Sequence, residues 1–184
     1  MKKVISILLS GLLFFTINSK AQDTLKIHEQ IDKASLGIGM GLDYGGFGGN
    51  LLIYPQKNIG LFAGVGYAMI GAGYNFGTKL RLVPKRTSGM SPFLLAMYGY
   101  NAVIGVSNAH EYDKFFYGFS TGIGFDTGMR PGKAGYWTFA LLIPFRSPDV
   151  DLYMDNLKLN HGVEFKNELL PFAISIGYRI IIQW

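Results

Sequence analysis

The stretch that decides the fold closes the chain: Phe172-Ala-Ile-Ser-Ile-Gly-Tyr-Arg-Ile-Ile-Ile-Gln-Trp184. Phe172, Ile174, Ile176, Tyr178, Ile180, Ile182 and Trp184 share one face, while Ala173, Ser175, Gly177, Arg179, Ile181 and Gln183 share the other. A period of two is that of a β-strand, whose successive side chains point to opposite sides. The large residues run unbroken along the whole segment, and the opposite face is mostly small or polar. A soluble strand also alternates, but this form fits a strand with lipid outside and a narrow, filled lumen inside.

Working back from that segment, the same alternation recurs. Leu36, Ile38, Met40, Leu42 and Tyr44 alternate with Gly37, Gly39, Gly41 and Asp43. Ile59, Leu61, Ala63, Val65, Tyr67 and Met69 alternate mainly with Gly60, Phe62, Gly64 and Gly66. Tyr74, Phe76, Thr78, Leu80 and Leu82 alternate with Asn75, Gly77, Lys79 and Arg81, and residues 115–126 repeat the pattern with Gly118, Gly122, Gly124 and Asp126 on the second face. Segments 47–54, 92–104 and 135–145 are strand-like without a clear phase, which brings the total to eight. Strands of roughly 9–12 residues suit a tilted bilayer crossing. An even number lets the sheet close with both ends on one side, and closure is required in lipid because an open edge leaves N–H and C=O groups unpaired. The expected fold is therefore all-β: an eight-stranded antiparallel up-and-down transmembrane β-barrel over residues 36–184.

Composition agrees. Of 184 residues, 49% are apolar, 16% charged and 15% aromatic, with 25 glycines and no cysteine. Disordered chains carry few aromatics and many charges. Disulfide scaffolds and thiolate metal sites need cysteine. A helical polytopic membrane protein needs several apolar runs of about 20 residues, and only the first 20 positions come close. That first stretch reads as an address: Lys2 and Lys3, the apolar run Val4 to Ile17, then small residues at Ser19 and Ala21. It is expected to be a Sec-type signal peptide over 1–21, since about 14 apolar-dominated residues are short for an anchor. A polar segment, 22–35, separates it from the barrel, either as a periplasmic tail or as a lumen plug. Removing 1–21 takes three of the 17 basic residues, leaving 14 against 12 acidic ones, or +2. No basic tract for nucleic acid remains, and nucleic-acid binding is discarded.

On this evidence the chain resembles the small eight-stranded outer-membrane β-barrel proteins, porin-like in type, over residues 36–184. The terminal Tyr178, Ile180, Ile182 and Trp184 look like that group's recognition signal for barrel assembly. The resemblance implies location in the outer membrane, with outer-membrane lipids and the barrel-assembly machinery as partners. It implies no single activity. With the N-terminus periplasmic, 106–114 and 146–170 become long outward connections where an extracellular partner is expected.

Five luminal side chains form the candidate site: Asp43, Lys79, Arg81, Asp126 and Arg179. Charges inside a barrel must pair or stay wet. They could be an ion gate, but an eight-stranded barrel is just wide enough for side chains to fill, which favours a static polar core. The inward glycines could line a cavity for a small apolar or amphipathic ligand, or relieve crowding opposite Phe62, Tyr98 or Arg179. Catalysis would need a histidine near a hydroxyl and a carboxylate. His110 beside Ser107 and Glu111, or His161 beside Glu164, are the candidates, and both are ordinary loop residues. Asp149, Asp151 and Asp155 form an acidic run without a calcium-loop glycine at the required offset. No catalytic residue, metal site or cofactor is expected. Pro144, Pro148 and Pro171 end strands around the long connection, or else mark a lateral opening. Tyr44, Tyr54, Tyr67, Tyr74, Tyr136, Trp137 and Trp184 are expected at the membrane interface. The leading expectation is a non-enzymatic barrel with a structural or surface-interaction role. A narrow pore or lipid-handling barrel is the alternative, and an outer-leaflet lipid-modifying enzyme the third.

Overall fold

The computed structural model describes residues 32–82, 89–106, 109–128, 134–165 and 169–182. Eight strands, β1 (Ala34–Gly41), β2 (Gly46–Ile53), β3 (Ile59–Tyr67), β4 (Ala72–Arg81), β5 (Met90–Ile104), β6 (Lys114–Thr127), β7 (Gly135–Pro144) and β8 (Ala173–Ile182), close into an antiparallel barrel in chain order. β1 pairs with β8 from Ala34↔Ile182 to Met40↔Ile176, so every strand has two neighbours. The first strand starts at Ala34, two residues before the boundary read from the sequence. The candidate signal peptide and residues 22–31 lie outside the described residues.

Side chains sort by face. Leu61, Ile174, Ile176 and Ile180 point outward, Ile174 with 70% of its surface exposed. Asn50, Asn75, Lys79, Arg81, Asp126, Ser175 and Arg179 point inward and are buried. The charged strand residues are Lys79, Arg81, Lys114, Asp126 and Arg179, and none lies on the outer face. The unclear phase of 92–104 has two causes. Both faces of β5 are bulky, with Phe93, Leu95 and Met97 inside and Leu94 and Tyr98 outside. A bulge between Tyr100 and Ala102 then reverses the alternation. Tyr98 therefore points outward against Phe119 and does not crowd the lumen.

Leu42–Tyr44 departs from the expected strand. It leaves β1 as a single 3-10 turn that folds into the barrel, flanked by Gly41 (φ 142°) and Gly45 (φ 73°), conformations that a side chain would strain. Asn75 donates to the Leu42 carbonyl at 2.7 Å, Asn50 donates to the Asp43 carbonyl, and the Ser175 hydroxyl donates to the Asp43 carboxylate. Tyr44 has no exposed surface and lies across Gly37, Gly39 and Gly177; an added methyl group would overlap it at Gly39 and Gly177 and crowd it at Gly37. The bare wall seen in the sequence is thus filled by the barrel's own first turn. Deeper in, Leu52, Phe62, Phe93, Leu95, Met97, Ala140 and Leu142 form an apolar core.

At the same end, β5 and β6 outrun their neighbours. β4 reaches only Asn75↔Gly99 and β7 only Ser120↔Pro144, so Tyr100–Ile104 and Lys114–Phe119 make a projecting hairpin. On its lumen-side face sit Ala102, Ile104 and Phe116, and a helix, α1 (Asp149–His161), buries Val150 and Leu157 against them. The connection 146–170 is therefore partly helical. The apolar spacing Val150, Tyr153, Met154, Leu157 and the left-handed Gly162 (φ 63°) that ends the helix are its signals in the sequence. Pro144 ends β7, Pro148 precedes α1 and Pro171 precedes β8, while β7 and β8 stay paired from Gly135↔Ile180 to Leu142↔Ala173. The prolines terminate elements, with the β7–β8 seam closed.

Because Tyr44 is the turn's main packing group, Tyr44→Ala is expected to cost about 3–5 kcal/mol, the range for deleting a buried aromatic. Urea unfolding followed by tryptophan fluorescence measures this; a loss under about 1 kcal/mol would contradict the packing role.

Candidate functional site

The luminal charges meet because of simple spacing. Lys79 and Arg81 are two residues apart on β4 and so share its inner face. Asp126 on β6 faces them across β5, and Lys79 reaches it over the Phe93 ring, with Nζ 3.8 Å from the ring centre and 2.7 Å from Asp126 Oδ1. Arg81 lies 3.7 Å from Asp126 Oδ2 but makes its main contact with Asp32, forking both nitrogens onto the carboxylate at 2.8 and 2.6 Å. The Tyr136 hydroxyl donates to Asp32 at 2.8 Å and touches Ser35 at 3.3 Å. Arg179 donates to Asn50 at 2.6 Å and to Ser35 at 3.4 Å.

Asp32 joins the site in addition to the five residues expected from the sequence. The five residues read from the sequence carry three positive and two negative charges. Asp32 supplies the third carboxylate, so Asp32, Asp43 and Asp126 balance Lys79, Arg81 and Arg179. It sits ahead of β1 in the polar segment, where no alternation marks its direction; the excess of luminal cations was the available signal. Asp43 is buried as expected, but it is held in the inward turn by Ser175, apart from the Lys79–Asp126 and Arg81–Asp32 pairs. Asn50 links the two, accepting from Arg179 while donating to the Asp43 carbonyl.

Three aromatics expected at the membrane interface are inside instead. Tyr44 fills the inward turn, Tyr54 lies under the Arg81 guanidinium at 3.8 Å, and Tyr136 binds Asp32. Each has its ring or hydroxyl committed to the lumen, a demand that position near a strand end does not reveal. Tyr67, Tyr74 and Trp137 are on the outside, as are Tyr178, Ile180 and Ile182 of the candidate assembly signal; Trp184 lies outside the described residues.

The loop histidines have other partners than those weighed from the sequence. His110 contacts Asp113 at 2.9 Å, and His161, at the end of α1, contacts the Tyr112 hydroxyl at 3.1 Å. Glu111 and Glu164 are exposed, and Ser107 lies outside the described residues. Asp113 also accepts the Val106 N–H at 2.8 Å, so this pair of contacts fixes the 3-10 turn His110–Tyr112. Asp149 and Asp151 occupy the first turn of α1, where carboxylates complement the helix dipole, and Asp155 pairs with Lys158 at 3.5 Å. Among the described residues, no three metal-binding side chains come together.

Chemically, the site is a neutralised polar chain that crosses the barrel from Asp126 to Asp43, enclosed in a closed eight-stranded barrel whose outer wall is uncharged. Searches against protein-family models, curated proteins and solved structures find no match to the chain.

Breaking one buried pair strands its partner. Arg81→Met should cost about 3–5 kcal/mol, and Arg81→Met combined with Asp32→Leu should cost less than Arg81→Met alone. A double-mutant cycle in urea checks this, and additive losses would dissolve the coupling.

The Val106 N–H and the His110 ring hold the Asp113 pKa below its ordinary 3.8. Its contribution is complete above that value and drains as pH falls through the lowered pKa. The protection factor of the Val106 amide, exchange relative to the intrinsic rate at each pH, should therefore hold above pH 3.8 and fall only below it, whereas Asp113→Asn should abolish that pH step.

Proposed function

We propose that this chain is an outer-membrane β-barrel with a structural or surface-interaction role, exported by its N-terminal segment and non-enzymatic. One observation carries the reading: the whole outer face of the strands is free of charge while every luminal charge is paired or hydrogen-bonded. Aromatics border that face at both ends. Phe76, Tyr98 and Phe119 contact one another toward the α1 end, at 6.0 and 5.1 Å between ring centres. Phe125, Phe139, Trp137 and Tyr178 do so toward the other end, at 5.2, 6.4 and 5.3 Å. From Tyr117 to Thr127, whose register partner is Trp137, the strand advances about 33 Å, or about 25 Å along an axis tilted by about 40°, the height of an outer-membrane apolar band. A soluble barrel would hydrate this surface with charged side chains, and none are there.

The partner surface is assigned to the projecting β5–β6 hairpin with α1, which combines the second apolar core with exposed Leu152 and Leu159. It comprises described parts of the connections 106–114 and 146–170, where a partner is expected from the sequence. The filled lumen supports a structural role over transport. A narrow pore is the second reading. It is supported by Arg81 Nε, Arg179 Nε and Asp126 Oδ2, which lack hydrogen-bond partners among the described residues and leave the cluster capacity to re-pair.

Reconstitution tests both. The refolded full chain should float with phospholipid vesicles through a density gradient and resist carbonate extraction, and a chain that stays soluble without detergent would end the membrane reading. In planar bilayers the wild type should pass no current steps. Steps in the wild type that vanish in Arg81→Met would replace the structural reading with the pore.

A further inference from the structure

The outer face is recessed at one place. Thr78, Ala96 and Thr121 are register partners across β4, β5 and β6, and all three are small. The row on the α1 side of them is Phe76, Tyr98 and Phe119, and the row on the other side is Leu80, Leu94 and Ile123. A trough of about 490 Å³ lies over Thr78, Ala96, Thr121 and the Leu80–Leu94–Ile123 row, and Leu141 and Ile143 close it on the β7 side.

We propose that this trough is a binding site for one acyl chain of a membrane lipid, held at a fixed position on the barrel wall. The proposal rests on the membrane reading above and adds a ligand to it. The volume lies within the range of about 300–1,000 Å³ typical of ligand sites. Its floor is a continuous hydrogen-bonded ladder, so little ordering entropy opposes occupancy. The aromatic row beside it forms a ledge braced by the Phe76–Tyr98 and Tyr98–Phe119 contacts. Polarity also runs in the direction a lipid needs. Tyr74 and Tyr117, with ring centres 5.3 Å apart, lie just beyond the ledge, where phenol hydroxyls suit ester and headgroup oxygens. The floor of the trough is aliphatic, apart from the two threonine hydroxyls.

A second copy of the chain fits the recess poorly. A two-fold contact through this face sets trough against trough, because an isologous interface opposes the same patch on both subunits. The concavity would then remain open. A flexible hydrocarbon chain, in contrast, fills an irregular groove and recovers the close contacts that an empty one loses.

The test uses the full chain reconstituted with dioleoyl phosphatidylethanolamine, then stripped stepwise in detergent while native mass spectrometry counts retained lipid. Wild type should keep one lipid per barrel after bulk lipid is gone. Ala96→Phe fills the trough and should weaken retention at least about tenfold. Leu51→Phe, on the opposite wall, should retain lipid like the wild type. So should Thr78→Val with Thr121→Val, which preserves shape. Ala96→Leu serves if the larger substitution impairs folding, and it should fall between the two. Equal retention by Ala96→Phe and wild type would overturn the proposal, as would a wild-type dimer that Ala96→Phe dissociates, which would assign the trough to a second copy. Vesicle flotation of the same preparations separates the two claims. A wild type that floats but keeps no lipid removes the trough site alone, whereas one that does not float removes the membrane reading and the site with it.

Discussion

One constraint organises this molecule: its strands have no charge on the outside, so every strand charge within the barrel must be neutralised inside a cylinder barely wide enough for side chains. Burying an isolated ion is prohibitive, whereas a forked guanidinium–carboxylate contact with satisfied neighbours is tolerable. Arg81 on Asp32 meets that requirement with two short bonds and an aromatic platform, and Lys79 on Asp126 with one bond and another platform. Arg179 has no carboxylate of its own and is served by Asn50 and Ser35. Three acids and three bases leave the lumen neutral, which lets the barrel close around them without drawing charge to its surface.

The same narrowness explains the inward turn. Glycines on β1, β3 and β8 leave room that water would otherwise have to fill beside buried amides. Leu42–Tyr44 occupies it, and its carbonyls take the donors of Asn50 and Asn75. The turn thus satisfies two buried side chains and packs one aromatic at once. Its inward course depends on Gly41 and Gly45 being able to adopt positive φ. At that end the barrel is also capped from outside. The β5–β6 hairpin would expose Ala102, Ile104 and Phe116, and α1 buries them. Asn101 ties the two layers by donating to the Phe145 carbonyl at 2.9 Å from the bulge that aims the hairpin.

How much of this could be read from residues alone follows from what determines each feature. Strand number and closure came through because alternation is local, and β8 displays it without interruption. Four of the five luminal charges were found by phase and meet partners there: Lys79, Arg81, Asp126 and Arg179. Asp32 was missed because a residue just ahead of a strand has no phase. Tyr44 was misassigned because two glycines, rather than the alternation, decide where the chain turns. Tyr136 and Tyr54 were placed at the interface because a tyrosine near a strand end has two solutions, and only the luminal partner, Asp32 or Arg81, selects between them. The helix α1 is hard to read from the sequence although Val150, Tyr153, Met154 and Leu157 have helical spacing; its apolar stripe is short, and the surface it covers exists only once β5 and β6 have paired.

The filling of the lumen has a consequence for where chemistry can happen. The luminal charges are committed to one another or to neighbouring side chains, and the space above them is taken by Tyr44 and the apolar core. A barrel so occupied can meet other molecules only at its end or on its wall. The end offers the hairpin and α1, a second packed unit whose outward side retains Leu152 and Leu159. The wall offers aromatic rows and, beside one of them, a recess made by three small side chains in register. A recess costs packing contacts on a surface where larger residues would fit without strain, since no protein neighbour opposes them. On the proposed membrane reading, the medium that supplies the missing contacts is hydrocarbon, and the place at which the wall asks for it is Ala96.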